Sequence, residues 1–162
     1  MVGRLLAQLG VHLLTGGGDG QMKAVAQAFV QCQERKGLSL GILPCLPGEP
    51  LRPKSSGYPN EFVELPIRTH LDQSSTHPMS RNHINVLSSQ ALVFLWGASG
   101  TLSEARLASE YGTPRCLFVT AQTRARYRGV ALYQEFGAEE TVSAEHELES
   151  WLKSCLNFRE LG

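Results

Sequence analysis

Short apolar runs alternate with amphipathic stretches along this chain, and glycines stand at the joints between them. No other feature constrains the fold as strongly. "VHLLT" (Val11–Thr15), "LSLGIL" (Leu38–Leu43), "ALVFLW" (Ala91–Trp96) and "RCLFV" (Arg115–Val119) have the length and composition of strands. Between them, Met22, Val25, Ala26, Phe29 and Val30 recur at the spacing of one helical face. Leu148, Trp151, Leu152, Cys155 and Leu156 do the same near the end of the chain. Strands alternating with such helices form β-α-β units around a mainly parallel sheet. Right-handed crossovers then put helices on both sheet faces. The expectation is a three-layer α/β/α fold in one domain over residues 1–162.

The finer boundaries follow from caps and breakers. A helix is expected over Val2–Leu9, closed by Gly10, and Asp19 is the expected N-cap of the helix after the first glycines. Pro44–Asn60 is rich in proline and glycine and reads as loop. "EFVEL" (Glu61–Leu65) reads as a short strand, and the next fourteen residues, "PIRTHLDQSSTHPM", as loop. Short helices are expected at Arg81–Ser88 and Arg124–Phe136, and a brief strand at Glu140–Val142. "ALVFLW" reads as a strand buried on both faces. The helix Thr101–Tyr111 is stopped by Gly112 and Pro114.

Composition narrows the function classes. Apolar residues make up 42% of the chain, enough for an ordinary core. Fifteen basic residues balance fifteen acidic ones. No basic stripe suggests a nucleic-acid surface, and a neutral chain tends to self-associate. No apolar run reaches membrane-spanning length. Cys32, Cys45, Cys116 and Cys155 form no C-x-x-C pair, and with His12, His70, His77, His83 and His146 they match no metal-site spacing. No charged stretch leading into a long apolar run opens the chain, so reduced thiols in a cytoplasmic protein are expected. His12 reads as a satisfied core or edge histidine, while His70 and His77 fall in loop.

Two glycine-bearing turns join a strand to a helix: "TGGGDGQM" (Thr15–Met22) and "WGASGTLSE" (Trp96–Glu104). In open parallel sheets, ligands bind where strands end and helices begin. A helix N-terminus offers unpaired N–H groups and partial positive charge, and glycine lets a phosphate come close. Hydroxyls of Thr15, Ser99, Thr101 and Ser103 add donors. Either turn alone is equally well explained as the connection any α/β chain needs; two of this kind favour an anion site. Neither matches the P-loop pattern, and "GGGDGQ" fails G-x-G-x-x-G at Gln21.

Several side chains carry two readings. Thr101 and Glu104 form a capping box, or Glu104 faces the ligand as a base or ribose acceptor. Arg81 is a solvated charge, or its planar fork grips phosphate, with Asn85 and Ser88 further along the same helical face. Trp96 is core or flanks a flat ring. Cys45 is the thiol expected nearest a ligand, unless it is merely buried.

Taken together, "TGGGDGQMKAVAQAF", "SRNHINVLSSQALV" and "GASGTLSE" resemble the two glycine motifs and the arginine motif of the LOG-like (SLOG) superfamily, once described as lysine decarboxylases. The resemblance runs from about Val2 to Val119. "RNHINVLSSQ" and the short chain look most similar to the branch of molybdenum cofactor carriers. The resemblance implies a Rossmann-like sheet, a phosphate-bearing ligand, and dimers or tetramers. Carried onto this chain, the cofactor-binding residues are Thr15, Gly16, Gly17, Gly18, Gly20, Met22, Arg81, Asn82, Asn85, Gly97, Ser99, Gly100, Thr101 and Glu104. The implied ligand is molybdenum cofactor (molybdopterin), held without catalysis, with molybdoenzymes as partners.

The alternative is a LOG-type phosphoribohydrolase. It would cleave a nucleoside 5′-monophosphate to base and ribose phosphate, with Arg81 and Glu104 as catalytic residues. A nucleotide sensor without turnover is a third reading. Two departures weaken the hydrolase. The hydrolases carry Arg-Lys where this chain has Arg81-Asn82, and P-G-G where it has Trp96-Gly97-Ala98. A third departure concerns the fold: the chain opens inside the helix that follows the family's first strand, so either the expected sheet lacks that strand, which leaves an edge or central strand unpaired, or the chain start is incomplete.

Overall fold

The structure, a computed structural model, describes residues 1–46, 49–53, 57–71, 77–78, 80–97, 99–125 and 130–156. The chain divides into two compact units, Met1–Asn85 and Val86–Gly162.

In the first unit, helix α1 (Val2–Gln8) leads to strand β1 (Leu13–Thr15), helix α2 (Gln21–Val30) and strand β2 (Ser39–Leu43). A two-stranded antiparallel hairpin follows, β3 (Cys45–Leu46) with β4 (Glu49–Pro53), and then strand β5 (Leu65–Arg68). The sheet order is β1-β2-β5, all parallel, with Leu13 opposite Ser39 and Leu40 opposite Leu65. Ala7, Leu13, Ala26 and Phe29 form the buried cluster that joins α1 and α2 to β1. The helical face expected on α2 is thus the packed one, because only that stripe is apolar enough to leave water.

The second unit repeats the plan. Strand β6 (Leu92–Phe94), helix α4 (Ser99–Tyr111) and strand β7 (Arg115–Phe118) form a β-α-β unit. Short helices α5 (Ala121–Arg124) and α6 (Ala131–Gln134), strand β8 (Thr141–Val142) and helix α7 (Glu145–Cys155) complete it. Its sheet order is β6-β7-β8, again parallel. Val86, Phe94, Leu107, Leu117, Val119 and Leu132 belong to its core, with Trp96 packed against them. Helix α3 (Arg81–Leu87) carries the chain from one unit into the other. Among the described residues, no helix is long and apolar enough to cross a membrane.

Five expectations are corrected. Pro44–Asn60 is not all loop, since it contains the β3–β4 hairpin. The strand expected at Glu61–Leu65 lies instead at Leu65–Arg68. The cause is local. Asn60 Oδ1 accepts the Phe62 N–H at 3.0 Å, and the Asn60 carbonyl accepts the Val63 N–H at 3.2 Å, so Asn60–Val63 is a turn. Glu64 then meets the Arg35 guanidinium at 2.6 and 2.8 Å and accepts the Ser39 N–H at 3.0 Å. That contact pins the register at which β5 joins β2. Strand β6 is not buried on both faces. Leu92 and Val93 are half-exposed within β6, while Phe94 is buried. The stretch Arg124–Phe136 is not one helix: α5 ends at Arg124 and α6 begins at Ala131, while residues 126–129 lie outside the described residues. Asp19 is not the cap of α2, a point that bears on the site.

Candidate functional site

The first glycine turn leaves β1 at Thr15 and enters α2 at Gln21. The carboxyl ends of parallel strands present carbonyl oxygens, which repel an anion. Here those oxygens are engaged by protein donors. Arg81 Nη1 donates to the Gly16 carbonyl at 3.0 Å and to the Ile42 carbonyl at 2.8 Å, bridging the ends of β1 and β2. Buried Thr69 donates its hydroxyl to the Leu43 carbonyl at 2.8 Å. The Asn60 N–H donates to the Gly17 carbonyl at 2.8 Å, and Asn60 Nδ2 to the Gly18 carbonyl at 2.8 Å. Five carbonyls are thereby neutralised, and a guanidinium stands among them.

Arg81 is therefore neither a solvated charge nor only a fork for phosphate. It is half-buried at the first position of α3, and both of its hydrogen bonds to described residues are made by Nη1. Its guanidinium lies 5.7 Å from the centre of the Tyr58 ring, a cation–π distance. Ser80 is buried beside it and accepts the Asn82 N–H at 3.2 Å, which turns the chain into α3. Asn82 and Asn85 are buried, whereas Ser88, past the helix end, is exposed.

The glycines of this turn now have distinct reasons. A Cβ on Gly16 would collide with the Arg81 guanidinium. A Cβ on Gly17 would stand 2.5 Å from Leu43 Cδ2, and its φ of +72° is left-handed. A Cβ on Gly18 would stand 2.8 Å from both Met22 Cε and the Tyr58 ring. At Gly20 such an atom would meet nothing within 4 Å, although φ is again +72°. Three glycines thus make room for protein, and the fourth faces open space.

Gly20 is itself the N-cap of α2, and no side chain caps that end. The expected Asp19 cap is absent because the left-handed turn at Gly20 replaces it. The first N–H groups of α2 consequently keep their partial positive charge. Gly18 and Asp19 also have N–H groups with no hydrogen-bond partner among the described residues.

The second turn is described within its own unit. A Cβ on Gly97 would collide with the Thr101 hydroxyl, while one on Gly100 would meet nothing within 4 Å. Helix α4 begins at Ser99, two residues earlier than expected, so Thr101 lies inside its first turn and is not its cap. Early helix entry brings Ser99 and Gly100 to the exposed helix start, with Thr101 and Glu104 half-buried behind them. Ser103, a possible hydroxyl donor by sequence, is turned into the core. Ala98 lies outside the described residues.

The predicted residues therefore assemble in two groups. Thr15, Gly16, Gly17, Gly18, Gly20, Met22 and Arg81 gather at the first turn, where Thr15 Oγ1 accepts the Gly17 N–H at 3.1 Å. Gly97, Ser99, Gly100, Thr101 and Glu104 gather at the second. Sequence reasoning missed Asn60 and Tyr58, which act on the first turn from a distant stretch of chain, and Thr69, which holds the carbonyl at the end of β2. The proline and glycine around "GYPN" marked a turn, but nothing in it named the turn's partner.

The remaining candidates are quieter. His12 Nδ1 accepts the Leu38 N–H at 3.0 Å, as expected of a satisfied edge histidine. All four cysteines are free, with Cys45 and Cys116 buried. Burial, with a smaller contribution from nearby Cys155, pushes the Cys116 thiol far above its ordinary range. Among the described residues, no group of three His, Cys, Asp or Glu side chains could hold a metal.

The SLOG cluster4 family profile matches residues 1–148. The fold is similar to the molybdenum cofactor binding protein from the phototrophic bacterium Rippkaea orientalis, with a TM-score of 0.67 and 28% identity. That match covers 96% of this chain and 83% of the other. It is also similar to the molybdenum cofactor carrier protein MCP from Chlamydomonas reinhardtii, with a TM-score of 0.66 and 26% identity over 96% and 84% of the two chains. A protein of Archaeoglobus fulgidus, described only as uncharacterized, is 32% identical over 111 residues. That stretch is 68% of this chain and 62% of the relative, so the match spans less than two thirds of the relative's length.

Proposed function

Because the chain belongs to the SLOG cluster4 family, we propose that it binds molybdenum cofactor as a carrier, through the cofactor's phosphate and without turnover. The observation that carries this reading is the likeness, over nearly the whole chain, to two proteins named for holding that cofactor. What the cofactor supplies, when bound, is a phosphate and a flat pterin ring. The protein's part is to bind, orient and shield them.

The residues present fit such a group. The first turn combines an uncapped helix start, open space at Gly20 and a guanidinium fixed at the strand ends. Gly18, Asp19 and the first residues of α2 would hold phosphate by their N–H groups, with Arg81 supplying charge. Ser99, Gly100 and Thr101 would do the same at the start of α4, which the open space at Gly100 supports. A cytoplasmic oligomer that hands its cargo to molybdoenzymes completes the proposal, and the free thiols are in keeping with it.

Titration of the purified protein with molybdopterin tests the reading, followed by calorimetry and by the pterin's absorbance. Saturable binding with near-stoichiometric amplitude is expected. A folded protein that shows no saturable binding overturns it. In a parallel incubation with AMP, no free adenine is expected. Release that disappears in Glu104→Gln would restore the hydrolase reading.

A further inference from the structure

We propose that Asn60 is a positioning residue that aims two backbone N–H groups of the first glycine turn at the bound phosphate. The inference rests on the phosphate-binding reading above and deepens it.

The geometry starts from the peptide unit. In a planar trans peptide, a carbonyl and the N–H that follows it point in opposite directions. The peptides joining Gly17 to Gly18 and Gly18 to Asp19 are both trans. Asn60 holds both of their carbonyls, Gly17's by its own N–H and Gly18's by its side-chain Nδ2, each at 2.8 Å. One residue therefore turns two successive peptide planes the same way. The Gly18 and Asp19 N–H groups are left directed away from Asn60, and neither meets a described acceptor. The preceding plane shows the contrast. Arg81 holds the Gly16 carbonyl, but the Gly17 N–H opposite is taken by Thr15 Oγ1. Of these three successive planes, the two that Asn60 controls leave N–H groups that meet no acceptor among the described residues.

Asn60 is itself firmly held. It is 4% exposed, its Oδ1 accepts the Phe62 N–H, and its carbonyl accepts the Val63 N–H. With Oδ1 fixed by a backbone donor, Nδ2 can only face Gly18. Gly18 has no room to escape, since the Tyr58 ring and Met22 lie against it. The turn is thus clamped before any ligand arrives, which removes the ordering cost that a flexible anion loop carries into binding.

The test compares the wild type with Asn60→Ser. Serine keeps a short acceptor for the Phe62 N–H but cannot reach the Gly18 carbonyl. Each protein is titrated with molybdopterin and, separately, with inorganic phosphate, while backbone amide signals are followed by NMR. In the wild type, phosphate should move the Gly18 and Asp19 amide signals more than any others of the turn. In Asn60→Ser, which loses the side-chain donor to the Gly18 carbonyl but keeps the backbone N–H to the Gly17 carbonyl, affinity for both probes should fall about tenfold and the Asp19 response should shrink more than that of Gly18, with the α2 amides unchanged. Equal affinity in the variant overturns the inference while leaving the carrier reading intact. Wild-type responses that fall elsewhere on the turn also overturn it, whether or not the variant folds. A wild type that binds phosphate through Gly18 and Asp19 but not molybdopterin supports Asn60's role and overturns the carrier reading. Binding of neither probe overturns both.

Discussion

Arg115 and Glu140 meet edge to edge: Nε stands 2.8 Å from Oε1, and Nη2 stands 3.3 Å from Oε2. The same guanidinium donates to the Ala105 carbonyl at 2.6 Å and the Glu135 carbonyl at 3.1 Å. It also lies 4.8 Å from the centre of the Phe136 ring. One side chain on β7 thus ties α4, the end of α6 and the turn before β8. Arginine suits the task because its donors form a fixed planar fork.

That pair predicts an acid-sensitive second unit. Burial raises the Glu140 pKa, but the Arg115 contacts and the Gly137 N–H outweigh it, so the carboxyl is held below its ordinary value. Glu64 is lowered in the same way, with Ser39 and Arg35 outweighing burial. A lowered folded value means the stabilisation is complete above the ordinary glutamate range and disappears as pH falls through the folded value. Glu140→Gln should lower stability at pH 7 by about 1–2 kcal/mol. The gap to wild type should hold down to the ordinary glutamate range, then close on further acidification. Thermal melts from pH 7 to pH 3 measure it. A gap that widens toward acid contradicts the assignment.

Arg81 should matter to the empty protein. Its removal leaves the Gly16 and Ile42 carbonyls without their shared donor. Arg81→Met should destabilise by about 2–3 kcal/mol, and Arg81→Lys by less, since an ammonium keeps a donor but loses the fork. Urea unfolding without any ligand reads this directly. Unchanged midpoints for both variants would assign Arg81 to ligand binding alone.

A buried hydroxyl offers the opposite sign. Ser39 is fully buried in β2, and its Oγ has no hydrogen-bond partner among the described residues. An unsatisfied buried polar group is destabilising, so Ser39→Ala should be neutral or stabilise by up to about 1 kcal/mol. A loss of stability in the same urea assay would mean that the hydroxyl is satisfied in solution.

The alternation of strands and helices was legible because burial imposes a period, and that period survives in single residues such as Ala26 and Phe29 on α2. Strand β5 was not. Leu65, Pro66, Ile67 and Arg68 are all exposed, so no alternation marks them, and the strand is specified by Glu64's reach to Arg35 and Ser39. The site divides in the same way. Glycines announce themselves by what they lack, so both turns were visible. Asn60 acts through the backbone carbonyls of Gly17 and Gly18, more than forty residues away, and a carbonyl leaves no trace in sequence. Arg81 was visible as a charge, but its duty to two carbonyls was not. The capping readings of Asp19 and Thr101 failed because a glycine turn and an early helix start took over those ends.

The two kinds of glycine can be separated by one pair of substitutions. Gly17 is required by the protein: its φ is left-handed, and a Cβ would press on Leu43. Gly17→Ala should destabilise by about 2–3 kcal/mol whether or not a ligand is present. Gly100 is not required by the described protein. It lies inside α4, a Cβ there would touch nothing within 4 Å, and alanine is the better helix former. Gly100→Ala should therefore raise stability by about 0.5–1 kcal/mol. If phosphate approaches the start of α4, the same methyl group should weaken its binding several-fold. Urea unfolding and phosphate titration on the one variant give both signs. A variant that is more stable and binds equally well would remove Gly100 from the site and leave the first turn to carry it.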